Sequence, residues 1–147
     1  MLRAGFAERD ITPPLGTKKV GWIIELVSDA IVDPLFARAA VFASGSGQIG
    51  FLQLDTLGVP WPQVQEIRAG ISRQHGFPGE NVMVAATHNH AGPAVESLGE
   101  VQQDEAYVAS LVANCVAVFG EALANRQEAE LGLGHAFEWR WRIVAAW

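Results

Sequence analysis

Residues 38–54, RAAVFASGSGQIGFLQL, decide the fold. The runs 38–43 (RAAVFA) and 48–54 (QIGFLQL) are β-rich, and Ser44-Gly45-Ser46-Gly47 between them is flexible turn chemistry, so the pair reads as an antiparallel hairpin. On its C-terminal side, residues 60–75 place Val64, Ile67 and Ile71 on one helical face. Gly76 then stands where a left-handed C-terminal residue is wanted, which predicts a helix. Residues 81–86 (NVMVAA) are a short apolar run between Pro78-Gly79 and a polar loop, and they predict a buried strand. Across 103–126, Val108, Leu111, Val112, Cys115, Phe119 and Ala122 recur at three- and four-residue steps, the clearest helical pattern in the chain. On the N-terminal side, Asp10-Ile11-Thr12-Pro13-Pro14-Leu15-Gly16 closes a first strand with a rigid turn. Strands that alternate with helices after an initial hairpin predict an α/β fold, a mixed β-sheet with an early antiparallel hairpin covered by helices. Without repeats or linker-like runs, residues 1–147 are expected to form a single domain.

Half of the 147 residues are apolar, enough for one domain with a real core. The net charge is −6 and the ten Lys and Arg are scattered, so the basic footprint that nucleic acid requires is missing. The single cysteine, Cys115, excludes an intrachain disulfide and a multi-thiolate zinc site, and it reads as a core residue on the long helix. Arg3 is followed by the acidic segment Glu8-Arg9-Asp10 with no apolar stretch of signal-peptide length, and no window approaches the ~20 apolar residues of a membrane span. A soluble, cytoplasmic protein with no transmembrane segment is expected. Near the end, Phe137, Trp139, Trp141 and Ile143 alternate with Glu138, Arg140 and Arg142, as in a half-buried strand.

The stretch richest in chemistry is Thr87-His88-Asn89-His90-Ala91-Gly92-Pro93. It follows a strand directly, and in an extended backbone the two imidazoles share a face. Zinc favours neutral imidazole nitrogen at ~2.0–2.1 Å, and strand ends hold such ligands rigidly, so His-x-His is half of a metal site. Two hydrogen-bonded loop histidines with no further role are an equally good reading of the motif alone. Concentration of the imidazoles at one point, with only His75 and His135 elsewhere, favours function. Asp55, at the end of the second hairpin strand, either ligates directly, orients an imidazole from behind, or simply caps a turn. Glu96 and Glu100 read as solvated loop acids. His75 reads as a helix C-terminal residue favoured by the dipole, and His135 is left unassigned.

Several of these pieces occur together in order. Ala4-Gly5-Phe6-Ala7 leading into Asp10-Ile11-Thr12-Pro13, then Phe36-Ala37-Arg38-Ala39, Leu54-Asp55, and Asn81-Val82 running into Thr87–Pro93 resemble the N-terminal domain of the neutral/alkaline, non-lysosomal ceramidases, across residues 4 to about 130. The resemblance implies a zinc-dependent amide hydrolase acting on N-acylsphingosine or another small-molecule or lipid amide. It implies His88 as the first zinc ligand and His90 as the catalytic histidine facing the substrate beside a single Zn2+. Asp55 would act from behind the ligands at most. In the family, zinc activates a water and polarises the amide carbonyl, while an imidazole steadies the oxyanion or moves a proton. The family's later ligands, a second His, a Glu and a Tyr, lie well beyond residue 147, and residues 134–147 diverge from the family pattern. The expectation is therefore of a truncated or frameshifted product, or an excised portion, without the full metal site and inactive by itself. The competing expectation is a non-catalytic α/β binding or assembly module that keeps the histidine loop as structure. An unfinished sheet and a Trp-rich tail would expose apolar surface, so a homo-oligomer is a further expectation.

Overall fold

A computed structural model describes residues 1–22 and 24–137. Its strands and helices are β1 (Leu2–Asp10), β2 (Lys18–Lys19), β3 (Leu26–Val27), β4 (Phe36–Ser44), β5 (Gly47–Leu54), α1 (Trp61–His75), β6 (Val82–Ala86), α2 (Glu105–Ala124) and β7 (Gln127–Ala129). Five strands form one sheet in the order β6-β5-β4-β1-β7, and β2 pairs with β3 as a separate two-stranded ribbon. The hairpin is as expected: β4 and β5 run antiparallel from Ala37↔Leu54 to Ser44↔Gly47 around a two-residue turn. Helix α1 then crosses over so that β6 lies parallel to β5, from Gly50↔Val82 to Leu54↔Ala86. The sheet is mixed and its helices lie on one side, the predicted α/β class.

Both helices begin and end close to where their residues dictate. Helix α1 ends at His75 because Gly76 takes a left-handed φ of 63° and returns its N–H to Ser72 O. Helix α2 starts where the Asp104 carboxylate accepts the Tyr107 N–H at 2.9 Å. Its inward residues Leu111, Cys115, Val118, Phe119 and Ala122 are buried among Ala37, Ala39, Val41, Leu52 and Leu54 of the sheet and Ile67 and Ile71 of α1. The Phe119 ring fills the space above Gly50, where an added Cβ would stand 2.5 Å from it, and meets the Phe77 ring edge-on with centroids 5.0 Å apart. A second, smaller cluster of Val20, Leu57, Ala94 and Val101 ties the loops beyond the sheet together.

Two expectations change, and a third falls outside the described residues. Among the described residues, the strand at 81–86 is an edge strand, not a buried one: β6 pairs there with β5 alone, and Met83 is 56% exposed. Helix α2 is long and apolar enough to cross a membrane, with a mean hydropathy of 1.6, although no window was expected to come near. The reason is that Ala106, Ala109 and Ala113 on its outer side raise the average, while its large apolar residues pack into the core. The alternating segment at 137–144 lies outside the described residues beyond Phe137.

Candidate metal centre

The histidine loop is placed by the parallel pair. β5 and β6 leave the sheet side by side at Leu54 and Ala86. Their continuations stay hydrogen-bonded: Thr87 N–H donates to Leu54 O at 2.9 Å, and Asn89 N–H to Thr56 O at 3.0 Å. In open α/β sheets the crevice beyond the carboxyl ends of such strands is the usual place for a ligand.

Between those two bonds, His88 adopts a φ of 64°, the sole positive value at a non-glycine residue among the described ones. A left-handed conformation with a Cβ costs of order 1–3 kcal/mol and persists where the surroundings over-determine it. The surroundings here are the two flanking backbone bonds and the ring itself, whose Nδ1 lies 3.0 Å from Leu57 O. The His90 Nδ1 lies 2.9 Å from Gly21 O. The two Nε2 atoms then face each other at 3.3 Å, with the rings nearly perpendicular at 88°. The histidines do share a site, but not by the alternation of an extended strand; the turn at His88 brings them together.

The partners of the two Nδ1 atoms fix the chemistry. A backbone carbonyl only accepts, so each Nδ1 must carry the proton and donate. Each neutral ring then presents a bare lone pair at Nε2, and the two lone pairs approach each other. Such a contact is repulsive unless a proton or a cation lies between them. A spacing of 3.3 Å is close to that of two donors on one tetrahedral ion with bonds of ~2.0–2.1 Å. The same spacing serves an N–H···N bond only if one ring is an imidazolium, since both Nδ1 protons are already engaged.

The other acids and histidines stand apart from this pair. The Asp55 carboxylate does not reach an imidazole: its Oδ2 accepts from Phe36 N–H at 3.0 Å and from Arg38 at 2.9 Å. Asp55 thus locks the end of β5 to the start of β4, and it supports the histidine loop only through the backbone, its carbonyl lying under Gly92. Glu96 lies against Gly58, and Glu100 is exposed in a turn. His75 ends α1 as expected, but its Nε2 meets Val116 O at 3.0 Å and its ring fills the notch at Gly120, so it joins the two helices. His135 is exposed. Among the described residues, no group of three or more His, Cys, Asp or Glu side chains could hold a metal ion. Asn89 and Ala91 of the loop line a cavity of about 350 Å³, walled by Pro13, Lys19, Ile31 and Leu35.

Away from the loop, burial pushes the Cys115 thiol up to about 12, which leaves it a neutral core residue as the helical pattern implied. Burial likewise raises Tyr107, whose hydroxyl donates to Ile11 O at 2.6 Å. Asp10 is held below the usual carboxylate range by hydrogen bonds from Thr12, a structural turn as expected.

Sequence reasoning missed Gly21, Trp22 and Leu57. Two of them act through backbone carbonyls, which carry no residue signature, and Gly21 is 69 residues from its partner His90. The one available signal was a glycine beside a tryptophan in an otherwise apolar stretch, Val20-Gly21-Trp22.

The sequence matches no family model and no curated protein. Its structure is similar to the crystal structure of neutral ceramidase from Pseudomonas aeruginosa, with a TM-score of 0.75 and 25% identity over 86% of this chain and 22% of that one. A ceramidase complexed with C2 matches with a TM-score of 0.72 at 24% identity, again over 86% of this chain and 22% of that one. The chain thus spans about a fifth of the length of each solved structure it matches. Across 86% of its length it is built as a part of neutral ceramidase is built, and the resemblance read from its motifs holds in three dimensions.

Proposed function

We propose that this chain supplies the histidine half of a zinc site in an amide hydrolase of the neutral ceramidase kind, with His88 as a metal ligand and His90 beside the ion. The observation that carries the reading is the pair of bare Nε2 atoms 3.3 Å apart, each forced into that state by a carbonyl on its Nδ1. Zinc, when bound, supplies Lewis acidity that polarises a carbonyl and lowers the pKa of a water toward ~7. The chain's own residues do the rest. Leu57 O and Gly21 O fix the tautomers, the strained turn at His88 aims its ring, and His90 Nε2 offers an acceptor that takes up or steadies a proton near the scissile amide. The substrate class is a small-molecule or lipid amide.

His88, with His90 standing beside the ion, falls short of the three protein ligands of a catalytic zinc, so the remaining donors come from outside the described residues. The same shortfall favours a second reading, a non-catalytic module in which the loop serves structure.

Equilibrium Zn2+ binding with metal analysis separates them. Wild type takes up one zinc per chain, and His88→Ala loses affinity by more than the roughly 10–100-fold of an outer-shell partner. Equal zinc binding by wild type and His88→Ala would overturn the hydrolase reading.

A further inference from the structure

We infer that Gly21 and Trp22 are positioning residues for His90, a strap of chain that sets which imidazole nitrogen faces the site; the inference rests on the proposal that the imidazole pair takes a metal. Three contacts carry it. Gly21 O receives the Nδ1 proton of His90 at 2.9 Å. The Trp22 indole N–H donates to His90 O at 2.7 Å. The same indole stands edge-on to the His90 ring, at 86° with centroids 6.2 Å apart. One dipeptide therefore grips the ring nitrogen, the main chain and the ring face of a residue remote in sequence.

The grip is specific to these residue types. Gly21 has a φ of 97°, open in practice to glycine alone. A Cβ there would lie 2.7 Å from His90 Nδ1 and 3.1 Å from the Leu57 side chain, pressing on the ring that the Gly21 carbonyl holds. Trp22 is 47% exposed, so its size is not used to fill a core; what it contributes is a directed N–H and an aromatic edge. The strap is anchored just before the dipeptide. Val20 is fully buried against the loop cluster, and Ala94 N–H donates to Lys18 O at 3.0 Å, tying the β2 strand to the residues just after the histidine loop.

Without the Gly21 carbonyl, a neutral His90 distributes its proton between both nitrogens, and an Nε2–H would point a proton at His88 Nε2. That tautomer closes the site to a cation. The strap removes it from the population before any metal arrives, and so acts on affinity without touching the ion.

The test uses the full chain and reads the tautomer directly. Long-range nitrogen–proton correlation spectra, taken at a pH where both rings are neutral, are expected to show His90 of the wild type as a single Nδ1–H form. Trp22→Phe keeps an aromatic ring and removes the N–H together with the five-membered part of the indole. It is expected to show a mixture of both tautomers, with Zn2+ affinity reduced roughly tenfold and the unfolding transition unmoved. Gly21→Ala is expected to move the same two readouts further; should it fail to fold, Trp22→Phe decides alone. A Trp22→Phe chain with the wild-type tautomer and wild-type zinc affinity overturns the inference. His88→Ala keeps the two failures apart: if it binds zinc as the wild type does, the metal reading falls, while the tautomer spectra, which need no metal, still judge the strap.

Discussion

The two faces of the five-stranded sheet come from the same strands and are built in opposite ways. The face toward the helices carries small or medium residues, Ala37, Ala39, Val41, Gly50, Leu52 and Leu54, into which Phe119 and its neighbours sink. The other face carries Phe6, Ala40, Phe42, Ile49, Phe51 and Met83, and four of these are between 38% and 60% exposed. Ordinary antiparallel sheets put polar residues on the solvated face. Here the solvated face gathers its charged residues at one corner, where Arg38 lies 3.4 Å from Glu8 and 2.9 Å from Asp55. Among the described residues, stability therefore rests on one face, by shape, while the second is an apolar surface on which none of them forms a packed layer.

The largest expected effect is on the covered face. Phe119→Ala empties the space above Gly50 and removes the edge-on contact with Phe77, and it is expected to cost about 3–5 kcal/mol in denaturant unfolding. A cost under about 1 kcal/mol would mean that α2 does not rest on the sheet as described. Next comes the alkaline limb, which reports the same packed layer through Cys115. The thiol's folded value, about 12, stands above its ordinary 9.0, so the unfolded chain gives up this proton first. This contribution is complete below pH 9 and is lost as pH rises toward 12. Cys115→Ala is expected to flatten that limb in stability measured against pH. Gly50→Ala inserts a methyl where only 2.5 Å is free to the Phe119 ring, and overpacking of this kind costs about 1–3 kcal/mol.

The covered face was the legible one. Its helices repeat at three and four residues, and its hairpin is punctuated by Ser44-Gly45-Ser46-Gly47, so local patterns and long-range packing agree. The edge position of β6 was not legible, because a run such as Val82-Met83-Val84 reads alike whether one or two strands flank it. At the site, His88 and His90 could be chosen from spacing, but the reason they meet could not. A left-handed histidine has no composition signature, and the carbonyls that set both tautomers come from residue 21, just after a two-residue strand too short to show a period, and residue 57, in the loop after β5. Asp55 misled because a strand-end acid next to a histidine loop suggests an imidazole partner, whereas Arg38, one strand over on the same face, competes for the carboxylate and wins.

The smallest expected effect on stability, and the one that sharpens the contrast most, is on the open face. Phe51→Thr puts a β-branched residue in the strand and gives up one edge-on contact with Phe42, whose centroid is 6.1 Å away. Because Phe51 is 38% exposed already, the loss is expected to be no more than about 1 kcal/mol. Its effect on association is expected to be larger than its effect on folding. A contiguous patch of Phe6, Phe42, Ile49, Phe51 and Met83 is apolar surface of the kind that draws a second surface onto it, and a hydroxyl at its centre is desolvated without a partner when that happens. Sedimentation over a range of concentrations is expected to show wild type associating and Phe51→Thr remaining smaller. If both sediment alike while Phe51→Thr costs several kcal/mol, the two faces are equivalent in energy, and the asymmetry drawn from their side chains is wrong.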